Sequence, residues 1–563
     1  MANNVAIIGV CSVFLVALVV AVVVGVSHSK SKTDGETDGV PSSKKVVQVL
    51  CESVDYKETC EESLSKSNSS DTKELIRTGF QAAMTEIKEV LSKSETIKEL
   101  QTDEGTKDAF KVCQEVLGYA IDDLESSFNT LGEYETNKID DYLMNLRVWL
   151  SGAVTSQQTC IDSYAEKCGP AAEKMTSIMK KSQELTSNAL HMVTGITSIL
   201  KDLNIPGLES LDSSPITRKL LSETESGFPE WMSSGDRRLL QEEDFTPNIT
   251  VAKDGSSKYD SINMALAQVP KNNPTRFVIL IKASVYKENV NVTKNMPNVM
   301  LIGEGPTKTI ISGHLNCEFD HITTFHTPTV AVNGKNFIAK NIRFENTAGT
   351  EGHQAVALRS SGDLAAYYNC HFIGFQDTLY ANKARQYYRG CTISGTVDFI
   401  FGDARSLFQN CNIIIRKPGP NQSCIVAAHG RSDQKSYSAI VLHNCTISGE
   451  KDYLPVKDKN KSYLGRPWKP YAITIVMQSQ IDDIIAPEGY APMNGTVGLD
   501  TSFYAEINNR GPGAKIDGRV KWGSIKHLDL EAGKEYTPRI FLESDKWIPE
   551  TGIPCTQGLV EGV

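Results

Sequence analysis

"GFQDTLYANKARQYYRGCTISGTVDFIFG", residues 374–402, decides how the larger part of this chain folds. Two aspartates stand in it among apolar and aromatic neighbours, Asp377 before Thr-Leu-Tyr and Asp398 before Phe-Ile-Phe. Burying a charge is costly unless it is paired, so two such placements call for one explanation. The surrounding text supplies it. Four short runs look like copies: "NCHFIG" at 369–374, "GCTISG" at 390–395, "NCNIII" at 410–415 and "NCTISG" at 444–449. Cys370 to Cys391 is 21 residues, Cys391 to Cys411 is 20, and Cys424 to Cys445 is again 21. A repeat of short strands and turns near this length is the mark of a solenoid. No helical pattern separates the strands, and the Asn-Gly and Asp-Gly pairs of tight hairpins are few. The expectation is an all-β parallel β-helix.

Asp377 follows Cys370 by seven residues, and Asp398 follows Cys391 by seven, so both hold the same place on consecutive coils. Stacked strands lie about 4.8 Å apart, which puts the two carboxylates roughly 5 Å from each other. Gln354 and Gln376, 22 residues apart, stack in the same way. Two like carboxylates so close share a proton and divide into an acid and a base or nucleophile. Neighbouring amides supply donors where negative charge would develop. A cation is needed beside the ionised partner, and "YLGRPWKPY" (463–471) offers Arg466, with Trp468 next to it. Three readings stay open on spacing alone: an ester hydrolase with an Asp nucleophile, a retaining glycosidase with the same carboxylate separation, and a solenoid whose stacked polar residues are only internal ladders. Trp468 serves packing as readily as sugar binding. Cys370, Cys391 and Cys411 fill the interior, and Cys411 with Cys445 is the expected bridge.

The 563 residues are enough for two or three domains, and 40% hydrophobic with 22% charged residues is ordinary globular composition. Residues 241–563 sum to roughly +2, which leaves about −12 of the total of −10 on residues 1–240. The C-terminal part is the better candidate to meet a polyanion, and nothing in it suggests nucleic acid. Residues 5–26, "VAIIGVCSVFLVALVVAVVVGV", form an uncharged run long enough to span a bilayer, read as a signal anchor. Lys30 and Lys32 on its C-terminal side run against the positive-inside rule. Glycosylation sequons stand at Asn68, Asn248, Asn291, Asn421, Asn444, Asn460 and Asn494, and 12 of the 13 cysteines follow the apolar run. These features point to the secretory route. No CxxC pair, HExxH motif or histidine cluster suggests a metal.

Residues 1–45 are therefore read as anchor and linker. Residues 46–205 carry apolar residues at three- and four-residue spacing with few breakers, the pattern of a four-helix bundle, with Cys51, Cys60, Cys113, Cys160 and Cys168. Residues 206–244 form a linker containing "RKLL" (Arg218, Lys219) and "RRLL" (Arg237, Arg238), paired basic residues suited to proteolytic processing. The β-helix domain spans 245–553, and 554–563 is read as a tail.

Four blocks then carry a resemblance. "GHQAVALR" (352–359), "GFQDTLY" (374–380), "GTVDFIFG" (395–402) and "YLGRPW" (463–468) resemble, in order, the signature blocks of plant pectin methylesterases. The likeness covers about 245–550, and "VWLSGAVTSQQTC" (148–160) with its cysteine spacing resembles the pectin methylesterase inhibitor domain. The resemblance implies a right-handed β-helix that demethylates methyl-esterified homogalacturonan to pectate and methanol, with no cofactor and no metal. It implies Asp398 as nucleophile, Asp377 as acid and then base, Gln376 and Gln354 as oxyanion donors, and Arg466 holding Asp398. Thr329, Gln354, Arg466 and Trp468 form the implied substrate-binding set, and Cys51–Cys60 and Cys113–Cys160 the implied disulfides. It further implies a pro-region removed at an RRLL-type site by a subtilisin-like protease, proteinaceous inhibitors as partners, a membrane-anchored precursor and a monomeric mature enzyme in the cell wall. Three blocks depart from the family pattern: "SVYKE" (284–288), "AAHGR" (427–431) and "EGYAPMNG" (488–495).

Overall fold

The computed structural model describes residues 43–92, 99–101, 103–130, 139–166, 170–202 and 246–562. The apolar run at 5–26, Cys168 and the four basic residues Arg218, Lys219, Arg237 and Arg238 lie outside them. Among the described residues no helix is long and apolar enough to cross a membrane.

The N-terminal unit is helical. Two short helices, α1 (Ser43–Glu52) and α2 (Lys57–Leu64), precede four long ones: α3 (Thr72–Ser92), α4 (Glu104–Thr130), α5 (Ile139–Ala165) and α6 (Pro170–Asp202). Spacing of apolar residues by three and four turns Leu75, Phe80, Val112, Leu117, Leu124 and Leu150 into one buried stripe, so the long helices pack as the expected bundle. Cys51–Cys60 clamps α1 to α2 and Cys113–Cys160 joins α4 to α5, with Cα separations of 5.7 and 4.5 Å.

The C-terminal unit winds its strands into three parallel sheets of 11, 7 and 8 strands, a parallel β-helix. The "NC" and "GC" repeats prove to be its corners. Asn369, Gly390, Asn410 and Asn444 take φ of 49°, 59°, 54° and 52°, the left-handed conformation that asparagine and glycine tolerate best. The asparagines also bond between coils, the Asn369 amide donating to Asn341 at 2.8 Å and the Asn444 amide to Asn410 at 3.1 Å. The next residue turns inward: Cys370, Cys391, Cys411 and Cys445 line the core. Beside them Tyr367, Tyr388 and Phe408 stack with ring centroids 4.7 and 4.3 Å apart. Each coil thus repeats its neighbour's side chain in the same place, which sets the register.

Four expectations change here. Cys411 and Cys445 are free thiols, not a bridge. In-register residues on parallel strands carry parallel Cβ vectors, whose spacing of about 4.8 Å exceeds the roughly 3.8 Å a disulfide needs. The 21-residue interval from Cys424 to Cys445 is not a coil either, because Cys424 belongs to a different sheet and pairs with Ser462. The expected tail packs into the body: the amides of Gln409 and Gln478 donate to the carbonyls of Thr556 (2.9 Å) and Val560 (2.8 Å). Of the described sequons, Asn460 is buried and its amide donates to the Gln422 carbonyl at 2.8 Å, leaving the folded chain no room for a glycan there. Asn444 is half-buried, and Asn68, Asn248, Asn291, Asn421 and Asn494 are exposed.

Candidate active site

The site sits on the seven-stranded sheet, whose strands in chain order are β1 (Val290–Val292), β2 (Val330–Val332), β3 (Leu358–Ser360), β4 (Leu379–Ala381), β5 (Ile400–Gly402), β6 (Cys424–His429) and β7 (Ser462–Pro467). Leu379 pairs with Ile400 and Tyr380 with Phe401, so Asp377 and Asp398, each two residues ahead, share a register position on adjacent coils. The Asp377 N–H donates to the Val397 carbonyl at 2.9 Å, continuing the ladder through the site. Both aspartates are in the left-handed region, φ 62° and 51°. Strained backbone of this kind clusters at functional sites, and here it lifts each carboxylate at the start of its strand. Below them Thr378 wedges between coils, its hydroxyl donating to Phe375 and Ser394 at 3.1 Å each.

Asp377 and Asp398 are 7% and 5% exposed, so neither charge is left to water. Arg466 answers Asp398 with a two-pronged contact, Nε to Oδ1 at 2.8 Å and Nη2 to Oδ2 at 2.5 Å. Its placement follows from the sheet: Arg466 pairs with Ala428 on β6, and β6 pairs with β5 through Ala428 and Phe401, next to Gly402. Burial works against the charge on Arg466, but the Asp398 carboxylate, with Asp377 adding, outweighs it and holds the guanidinium above its ordinary value. The arrangement therefore fixes one carboxylate by an arginine fork while the second stands beside it.

Gln376 and Arg466 open onto a cleft of about 400 Å³, lined further by Val397, Gln422, Ser423, Ile425, Tyr463, Ala491 and Pro492. Gln354 precedes Ala355, whose N–H donates to the Gln376 carbonyl at 3.3 Å, so the two glutamines sit on neighbouring coils, one residue out of the strand register. Trp468 lies edge-on to Tyr380 and Phe401, at 6.5 and 5.9 Å between centroids. The aspartates and glutamines thus fall on successive coils, whereas Thr329, which the resemblance placed in the substrate-binding set, does not join them. Thr329 is fully buried, its hydroxyl spent on the Glu345 carbonyl at 2.9 Å, and it has no free group for a substrate. Gln422, Ser423, Tyr463 and Pro492 were missed. Tyr463 stands inside the YLGRPW block and pairs with Ile425, which was the available signal; the others are on loops without periodicity.

The pectinesterase family model matches residues 248–545, and the plant invertase/pectin methylesterase inhibitor model matches 45–192. The chain belongs to the pectinesterase family. It is a pectinesterase preceded by an inhibitor-type helical domain. "Probable pectinesterase/pectinesterase inhibitor 21" of Arabidopsis thaliana is 46% identical over 99% of this chain and 82% of its own length. A pectinesterase of Petunia integrifolia is 48% identical over 69% of this chain and 100% of its own. Among solved structures, a pectin methylesterase from carrot superposes with a TM-score of 0.55 at 44% identity, covering 56% of this chain and 99% of that one. In this pectinesterase the ester chemistry left open by spacing is decided by kinship, and the β-helix matched by the carrot enzyme is the part that carries the aspartates.

Proposed function

We propose that this pectinesterase removes methyl groups from homogalacturonan through an aspartyl-ester mechanism centred on Asp398. The observation that carries the reading is the fork of Arg466 on Asp398, which balances its charge and fixes its direction. Asp398 attacks the methyl-ester carbonyl, and the tetrahedral oxyanion is met by the amides of Gln376 and Gln354. Asp377 gives its proton to the departing methoxide, releasing methanol and leaving an acyl-aspartate. Asp377 then takes a proton from water as that water attacks the acyl carbon, which frees the galacturonate carboxylate and restores Asp398. Trp468 packs against the sugar rings. No step calls for a cofactor. The product is pectate, and the place of action is the cell wall, reached after cleavage in the 206–244 linker by a subtilisin-like protease acting on a membrane-anchored precursor. The helical unit, similar to free inhibitor proteins, restrains the enzyme until then.

The test is methanol release from highly esterified pectin, with new reducing ends assayed in parallel, for the chain and for Asp398→Ala. Methanol without reducing ends, reduced about 10³-fold or more in the variant, is expected. Reducing ends with little methanol would make the column a glycosidase site, and full activity in Asp398→Ala would remove the nucleophile.

A further inference from the structure

Residues 314–320, "HLNCEFD", form a braced loop at the Gln354 end of the glutamine column. Asn316 is its pivot: its N–H and its amide donate to the Asp320 carboxylate at 2.9 and 3.1 Å, and its Oδ1 accepts the N–H of Phe319 at 2.8 Å. From outside the loop, the Asn346 amide donates to the Leu315 carbonyl at 2.8 Å. The Cys317 N–H donates to the carbonyl of Gln354 itself at 3.0 Å. The loop is therefore pinned through its backbone to a residue of the site. On top of it stands Phe319, 61% exposed, the highest exposure among the large apolar side chains of the described residues. Neighbouring Glu318, Asp320, His321 and His353 are exposed and polar. A rigid loop that holds an aromatic ring in water, rimmed by polar groups, is built like one edge of a binding groove.

Its position fits that role. From Cys317 the column runs over successive coils through Gln354, Gln376 and Val397 to Ile425 and Tyr463. These are five strand spacings, roughly 24 Å at about 4.8 Å each. A pectin chain laid along them passes the reacting ester near the middle and reaches the loop two or three rings away, at about 10–14 Å. We propose that Phe319 is a stacking platform for a distant galacturonate ring, whose C–H face it covers, and that it holds the polymer rather than taking part in the chemistry. The proposal rests on the polysaccharide reading of the cleft.

The experiment compares the intact chain with Phe319→Ala and Phe319→Trp, on long, highly methyl-esterified homogalacturonan and on a methyl-esterified dimer too short to reach the loop. For Phe319→Ala, KM on the polymer is expected to rise about fivefold or more with kcat unchanged, while both constants on the dimer stay put. Phe319→Trp is expected to match or improve on the original. An unchanged KM on the polymer would make Phe319 an incidental exposed side chain, and equal losses on both substrates would make it a prop of the site; either result overturns the proposal. Asp398→Ala runs alongside: if it stays active the nucleophile assignment falls, and the Phe319 comparison is still readable.

Discussion

At Gly430 a hydrogen atom stands where any other residue would put a carbon. A Cβ there would lie 2.6 Å from Cε3 of Trp468, inside the distance real contacts show. The ring of Trp468 is thus seated directly on the backbone that follows β6, which holds it edge-on to Tyr380 and Phe401. Gly430→Ala must push the indole away from the cleft. The expected result is a rise of about three- to tenfold in KM for pectin with a smaller change in kcat. An unchanged KM would separate Trp468 from substrate binding. This constraint was only partly legible. The sequence offers "AAHGR" and "YLGRPW" as separate blocks, and nothing in either says that Gly430 and Trp468 meet. Asp377, Asp398, Gln376 and Arg466 could be found because each holds a regular place or a charge that needs an answer. Thr329 has neither, and the structure buries it.

Among the strands, the legible signal was the corner: an asparagine or glycine in the left-handed region followed by an inward cysteine, recurring every 20 or 21 residues. It faded where a coil is long. The step from Cys411 to Cys445 is 34 residues, because the chain leaves after the strand Asn412–Ile415 and returns at Ala439–His443. Two histidines are buried in this stretch. Burial, with Arg431 adding, pushes His429 down to about 3, and burial, with Arg389 adding, pushes His443 down to about 4. Both are held neutral: the Ile473 N–H donates to Nδ1 of His429 at 2.8 Å, and His443 lies between Gln409 and Gln478 at 3.2 and 3.1 Å. Their folded values lie below the ordinary value of about 6.5, so the unfolded chain takes up protons first as the pH falls. Their contribution is whole above pH 6.5 and is lost from there down towards 4 and 3. At pH 5 the loss is on the order of 2 kcal/mol for each. Thermal unfolding of the β-helix should therefore fall clearly in Tm between pH 7 and 4.5, and His443→Gln should flatten that fall. An identical slope in the variant would reject the assignment. The buried Asp363–Arg385 pair, with Asp363 lowered to about 2, does not enter this window.

Taken whole, the described chain divides into two compact units. The β-helix has its own continuous core, from Ile249 through Tyr504, and a second apolar cluster under its C-terminal helices. The helical unit is separately stapled by its two disulfides. Separate cores are what the proposed removal of the helical unit requires. N-terminal sequencing of the protein recovered from cell wall should begin within residues 239–244, and finding only uncleaved chain would reject processing. Full-length protein as active as the 241–563 fragment would reject restraint by the helical unit. This organisation was readable from composition alone, since a breaker-poor helical stretch gives way to a Pro-, Gly- and Ser-rich linker and then to strands. What composition could not reveal is that 554–562 belongs to the body, because those residues are held by a bond from Tyr387 and by two-way pairs with the side chains of Gln409 and Gln478 rather than by a pattern.

The column of unbridged thiols has a consequence for the making of the protein. Once the coils are stacked, Cys370, Cys391, Cys411 and Cys445 are sealed inside, with side chains pointing the same way. The native state is safe from cross-linking by geometry and by exclusion of oxidants. The nascent chain has neither protection, yet it must oxidise two other pairs of cysteines correctly. Its hazard is therefore one of timing: mispairing competes with coil stacking during biosynthesis, and the finished enzyme no longer runs that risk.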